Sequence, residues 1–318
     1  MSDLHLIKPG WQSTIQDGGR RGYFRDGLSE GGAMDEHAFF WANKLLENDL
    51  NCACIEILMG QFEAVFDTDT TIAITGADLD ARINGQVVEH WCTHRIQAGD
   101  RIAFKQPKAG LRAYLAVAGG WQTPVRFGSR SVVMREQLGG LDGGPLKAED
   151  RLSYLPRQSA PRRSVAPNYI PDYRAELNLK VVPGYQYEDF SYTTRLHFTT
   201  SQYRVSNRID RMGYKLEGPK VATERTGIIS EGIALGAIQI PQDGYPIVLL
   251  RDRQTIGGYP KIGCVASLDC SRLSQRGPGA EVSFEFSDIA TVQAERQLFD
   301  RFFRACTWAP SGKILNWP

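Results

Sequence analysis

No window of the 318-residue sequence approaches the roughly 18 consecutive apolar residues of a membrane-spanning helix. The opening MSDLHLIKPGW lacks the basic stretch followed by an apolar run that marks a secretory signal, so the chain reads as cytoplasmic. Charge of one sign is not in excess either. The 37 Lys+Arg against 36 Asp+Glu leave a formal net charge of +1, which argues against a general polyanion partner, because such binding rests on clustered cations. Cysteine is sparse: Cys52, Cys54, Cys92, Cys264, Cys270 and Cys306 show no CxxC spacing, which excludes a disulfide framework and reads as reduced, buried thiols. Three catalytic signatures are missing as well: the P-loop G-x-x-x-x-G-K-S/T, a G-x-G-x-x-G following a strand, and H-E-x-x-H. A self-contained ATPase or dehydrogenase of those types is therefore excluded.

What is present is an ordinary globular composition, 42% hydrophobic, with 32 Gly and 16 Pro. Those two residues make up about 15% of the chain against roughly 12% on average, so the chain is rich in turns. At roughly 150 residues per domain the length predicts two domains, each able to bury a core without staples. Two stretches read as helices. In MDEHAFFWANKLLEN, Asp35 can cap the first turn, and Ala38, Phe39, Ala42, Leu45 and Leu46 fall on one face; the second runs from Asp288 to about Cys306. Most of the rest is short apolar or β-branched runs between turn residues, such as 71–75, 82–88 around Asn84-Gly85, 101–105, 114–118 and 245–250. With no βαβ alternation, these predict a mainly β protein of barrel or sandwich architecture. The proline- and arginine-rich PRQSAPRRSVAPNYIP at 156–171 is the expected linker between residues 1–155 and 172–318. A Gly-Tyr followed by SEGxA occurs in both halves, at 22–33 and 213–234, and hints at duplication.

Several constellations could carry chemistry. Gly27-Leu28-Ser29-Glu30-Gly31 formally matches a nucleophile elbow, but the preceding RRGYFRD is not the apolar strand an elbow requires, and a turn feeding the first helix is the alternative. His90, Cys92 and His94 alternate as one face of a strand would, without a fourth zinc ligand in sight. Two glycine-rich polar segments are more informative. QDGGRRGYFRDGLSEGGAMD gathers Asp17, Arg20, Arg21, Arg25, Asp26, Glu30 and Asp35, where glycine allows close backbone approach and Arg offers a fork to carboxylate or phosphate. In the second half, VSNRIDRMGYKLEG is followed by IPQDGYPIVLLRDRQTIGGYPKIG, an apolar strand running straight into charged residues and a Gly-Gly hinge. Such an arrangement suits a site on a rigid support, and a surface turn with exposed ion pairs suits it equally.

Taken together, QDGGRRGY, GAMD, the Ala-Asn at 42–43, IEILMG, TGAD, AVAGG, GSRS, DRMGYKLEG, SEG, RDRQTIGGYPKIG and QRGPG resemble the biotin-dependent carboxyltransferase family. That family takes in KipA proteins, the second subunit of allophanate hydrolase, the C subunit of 5-oxoprolinase, and subdomains A and B of urea carboxylase. The resemblance runs from about Gly10 to Phe286. It implies two cyclophilin-like β-barrel subdomains, and partnership with the KipI-like B subunit and with the A subunit of 5-oxoprolinase. The activity it implies is ATP-dependent opening of 5-oxoproline to L-glutamate, with ATP held mainly by a partner, biotin needed only by a carboxyltransferase, and no metal in this chain. Two other family roles are a regulatory KipA-like protein that binds a KipI-like kinase inhibitor, and a urea- or allophanate-directed component. The matched positions imply Asp210, Arg211, Tyr214, Arg251, Asp252, Tyr259 and Lys261 as catalytic candidates. Asp17, Arg20, Asp35, Asn43, Gln239, Gln254 and Thr255 are the implied substrate-binding candidates. One departure stands out: relatives often carry an Arg where this sequence has Gly144.

Overall fold

The structure is a computed structural model that describes residues 2–155, 161–223, 225, 227–308 and 314–315. The chain divides into two compact units: Met1–Arg21 with Glu30–Arg174 and Arg301–Pro318, and Gly22–Ser29 with Ala175–Asp300.

Two large antiparallel sheets and one short antiparallel pair, Thr307–Trp308 with Ile314–Leu315, lie in the first unit. Six strands run in the order Arg151–Tyr154, Ser2–Pro9, Phe62–Phe66, Arg101–Phe104, Ala81–Ile83, Gln86–Val87. Five run in the order Gln12–Gln16, Cys54–Leu58, Ala109–Val117, Thr70–Asp78, Cys92–Ile96. In the six-stranded sheet alternation decides the buried face: Leu4, Leu6, Phe62, Ala64 and Phe66 enter the core while their neighbours are partly exposed. Thr70–Asp78 instead is buried on both faces. Ile72 and Ile74 join the core, and Thr75 on the opposite face donates its hydroxyl to the Ala38 carbonyl (2.7 Å) in helix α1, Glu36–Leu45. Asp35 caps α1 by accepting from the Ala38 N–H at 3.1 Å. Asn84-Gly85 forms the expected hairpin, with φ of 50° and 82°.

A closed seven-stranded barrel forms the second unit. Its order is Leu177–Pro183, Lys261–Val265, Ala237–Gln239, Ile247–Leu249, Gly213–Glu217, Tyr203–Ile209, Glu281–Phe286. Parallel pairing of the first and last closes it. Leu179, Val181, Tyr203, Tyr214, Leu216, Ile238, Val248, Ile262 and Phe284 are buried. Three further helices are α2 (Tyr192–Thr200), α3 (Ser267–Leu273) and α4 (Ile289–Ala305). Phe198 of α2 stacks on Phe284 with 4.5 Å between ring centroids.

The mainly β architecture expected from the sequence is the one observed, and the two expected helices are α1 and α4. Sequence periodicity misses α2 and α3. Only Phe198 is buried on the threonine-rich α2, and α3 spans two turns, so neither presents a repeating apolar face. Residues 156–160 of the expected linker lie outside the described residues. Its remainder is packed into the first unit, with the Arg163 guanidinium paired to Glu47 at 2.8 Å and donating to the Leu45 carbonyl at 3.1 Å. The two segments behind the hint of duplication differ locally: Gly22 lies in a turn, whereas Gly213-Tyr214 opens a barrel strand.

Candidate functional site

The second unit holds the densest group of predicted site residues. Leaving the buried strand Ile247–Leu249, the chain passes through Arg251 and Asp252, and Asp252 accepts both Nε and Nη2 of Arg211 at 2.9 Å each. Arg211 is 3% and Asp252 4% exposed, so this is a desolvated fork-to-carboxylate pair, further pinned by the Asp252 N–H donating to the Arg211 carbonyl (2.8 Å). Asp210, beside it, is exposed and turns its carboxylate onto the N–H groups of Met212 and Gly213 at 2.8 and 3.0 Å. Tyr214 is sealed within the barrel, its hydroxyl donating to the Ser274 carbonyl at 3.1 Å. Tyr259 is exposed, and Arg251 and Thr255 are half-buried.

A second group lies around a short ribbon, in which Glu231–Gly232 pairs with Ile256–Gly257. Gln239 and Lys261 face each other on adjacent barrel strands, just past a register irregularity between Ile238 and Gln239. Lys261 Nζ pairs with Glu231 Oε1 at 2.6 Å, and the same oxygen accepts from Gln186 Nε2 at 3.1 Å. The Lys261 hydrogen bond holds the Glu231 carboxyl below its usual range, so it is ionised at neutral pH. Gln239 is 2% exposed, and its Nε2 has no acceptor among the described residues. Gly257 explains how that amide fits, since a Cβ there would stand 2.7 Å from Gln239 Nε2 and 2.6 Å from Ile233 Cδ1. Gln254 Nε2 lies 3.5 Å from the same point.

The candidates in the first unit are placed quite differently. Asp17 accepts from the hydroxyls of Ser129 and Ser131 and the N–H of Arg130, each at 2.6 Å, and from the Gly19 N–H at 2.9 Å. Arg20 is fully buried and donates to the carbonyls of Arg126 (3.2 Å) and Ser131 (2.9 Å). Asp35 caps α1 and accepts the Tyr173 hydroxyl at 2.7 Å. Asn43 donates to the Cys52 carbonyl (2.8 Å) and accepts from Asn48 (3.1 Å). These four side chains fasten loops and a helix start to the sheets.

Ser29 is buried, and its hydroxyl donates to the Arg253 carbonyl at 2.9 Å, which is a structural engagement. His90 lies 3.5 Å from Asp78, while His94 turns to the Glu89 carbonyl at 2.8 Å and the Cys92 thiol at 3.3 Å. Among the described residues, no group of three or more His, Cys, Asp or Glu could hold a metal ion. An open cleft of about 490 Å³ in the first unit is lined by Asp78, His90, Lys108, Asp172, Tyr173 and Arg174, among others. Sequence reasoning missed Glu231 and Gln186; the SEG at 230–232 is the available signal, and it reads there as a repeat. A buried network was missed as well, in which the Tyr114 hydroxyl donates to Glu56 (2.7 Å) and accepts from the Asp35 N–H (2.7 Å), with Arg112 at 3.7 Å from Glu56. Arg112 sits singly on an apolar strand, and Glu56, although inside IEILMG, is a lone charge there with nothing in the sequence to join it to Tyr114.

Over residues 26–286 the sequence matches the family described as carboxyltransferase domain, subdomain A and B. It is 37% identical to the 5-oxoprolinase C subunit of Escherichia coli over 309 residues, covering 96% of this chain and 98% of that protein. Identity to the 5-oxoprolinase C subunit of Haemophilus influenzae is 32% over 307 residues, covering 94% and 96%. Among solved structures, the Kluyveromyces lactis urea amidolyase matches with a TM-score of 0.90 at 24% identity, over 98% of this chain. This chain spans 21% of that one, and the likeness is one of fold. No helix among the described residues is long and apolar enough to cross a membrane.

Proposed function

The chain belongs to the family of the carboxyltransferase domain, subdomain A and B, and on that premise we propose that it serves as the C subunit of an ATP-dependent 5-oxoprolinase. The observation that carries this reading is the end-to-end likeness to proteins named as the C subunit of 5-oxoprolinase, at 37% identity with nearly complete coverage of both chains. Working with the A and B subunits, the protein would open 5-oxoproline to L-glutamate. A lactam is a resonance-stabilised amide, and its opening needs an activated carbonyl. The γ-phosphoryl group of ATP passes to the lactam oxygen with release of ADP, water adds to the activated carbon and the C–N bond breaks to give the amine and an acyl phosphate, and a second water hydrolyses that to the new carboxylate and phosphate. The task that fits this chain is to bind and orient the substrate and exclude water, from residues mounted on a rigid barrel. ATP then lies mainly with the A subunit, in keeping with the lack of a P-loop sequence here. Biotin has a place only in the urea- or allophanate-directed reading, and no residue is assigned to it.

The test is reconstitution. Mixed with the A and B subunits of 5-oxoprolinase, the chain is expected to support ATP-dependent release of glutamate from 5-oxoproline, with no ATP turnover on urea. A well-folded complex that turns over no 5-oxoproline would reject the reading. Tight capture of a KipI-like protein without turnover would favour the regulatory role instead.

A further inference from the structure

We infer that the ribbon end of the second-unit barrel is a seat for a secondary amide, with Gln239 as donor to its carbonyl oxygen and Glu231 as acceptor of its N–H. The inference deepens the proposed function and rests on its premise that the substrate is a lactam. Three observations carry it. Gln239 is buried to 2% exposure with an amide nitrogen that has no acceptor among the described residues, a cost that folding alone does not explain. Gly257 stands against that nitrogen, where a side chain of any size would displace it. Glu231, opposite Gly257 across the ribbon, offers a carboxylate oxygen beside it.

The acceptor half of the seat is Glu231. In an antiparallel pair, directly opposed residues share a face, so Glu231 stands on the side of the ribbon where Gly257 has no side chain. Lys261 and Gln186 both engage Oε1 and leave Oε2 without a donor among the described residues. Lys261 also keeps the carboxylate ionised and therefore acceptor-only. The Lys261–Glu231 pair carries no net charge, which suits a neutral amide better than an anion at this point. The Gln239 amide is covered by the ribbon, whose backbone pairing continues at Ile228–Gly258 and Ile233–Thr255, so a ligand reaches it when this short ribbon opens.

Binding of three lactams to the full chain, followed by isothermal titration, separates the halves of the seat. The probes are 5-oxoproline, 2-pyrrolidinone, and N-methyl-2-pyrrolidinone, which keeps the carbonyl and loses the N–H. Expected results are that 2-pyrrolidinone binds and that the N-methyl compound binds about tenfold more weakly or worse. Gln239→Leu should weaken every lactam by a similar factor while leaving the melting temperature unchanged or higher, because it removes an unsatisfied buried group. Equal binding of the methylated and unmethylated lactams would overturn the role of Glu231. Undiminished lactam binding by Gln239→Leu would overturn the seat itself. The function fails separately: lactam binding with no 5-oxoproline turnover in the assembled complex leaves the seat standing, whereas full turnover by a Gln239→Leu complex removes the seat and leaves the function.

Discussion

Asp17 and Gln239 are buried to nearly the same extent, yet the first is saturated with hydrogen bonds and the second has an amide nitrogen with none among the described residues. The contrast extends to the two units that contain them. In the first, the polar residues of the recognisable motifs are consumed in holding loops to sheets. In the second, the motif residues include a closed pair, Arg211–Asp252, and a group around Gly257 that keeps a donor on Gln239 and an acceptor on Glu231 in reserve. Burial of a polar residue is therefore not in itself a mark of a site. What separates the two cases is whether the hydrogen-bonding capacity of the residue is already used.

The sharpest way to break this comparison is at its saturated end. Asp17→Ala strands four donors, two of them serine hydroxyls, and is expected to cost about 4 kcal/mol or more. Tryptophan fluorescence in a urea titration reads it cleanly, since Trp41, Trp91, Trp121 and Trp308 lie in the first unit and the second contains no tryptophan. A loss below about 1 kcal/mol would mean the loop at 129–131 is not held by this carboxylate. Next in size, Arg211→Ala leaves Asp252 charged and buried, with an expected loss of about 3–5 kcal/mol by far-ultraviolet circular dichroism. Replacing both partners, Arg211→Met with Asp252→Leu, should recover most of it, and equal losses for the single and double changes would show that the pair is not the unit of stability.

The two units should also differ in acid. Burial pushes His37, His90 and His94 of the first unit below the ordinary value of 6.5, so their neutral forms are favoured in the fold. The unfolded chain then binds more protons, and stability that is full above pH 6.5 declines as pH falls below it. Glu231, lowered by Lys261, contributes stability present above its ordinary 4.5 and lost only as pH drops further. Tryptophan-detected stability should therefore fall between pH 6.5 and 5, with a shallower slope in His37→Gln; a flat profile there would remove the distinction. The smallest effect is expected at Gly144. Its φ is not left-handed, and a Cβ would meet only Asp142 Oδ1 at 3.3 Å, so Gly144→Arg should change stability by less than about 0.5 kcal/mol.

Much of the fold was legible because periodicity and turn chemistry are local: the cap at Asp35, the Asn84-Gly85 hairpin and the alternation of Phe62–Phe66 each follow from a few adjacent residues. The helices α2 and α3 were not, because they bury too little to leave a repeat. The site was legible as residue types and not as roles. Asp17 and Arg20 sit in glycine-rich sequence just as Lys261 and Gln254 do, and only the tertiary partners, Ser129 and Ser131 for Asp17, Glu231 for Lys261, tell their surroundings apart. Glu231 and Gln186 lie far from Lys261 in sequence and carry no pattern that would join them to it.

A lactam-opening role built on the reserve at Gln239 is tested most directly by assembling the A and B subunits of 5-oxoprolinase with the wild-type chain and with Gln239→Leu, and measuring ATP-dependent glutamate release from 5-oxoproline beside the melting temperature. Turnover is expected with the wild type, and with Gln239→Leu a loss of about tenfold or more in kcat/KM without any drop in melting temperature. Full turnover by Gln239→Leu, or none by a properly assembled wild-type complex, would contradict that role.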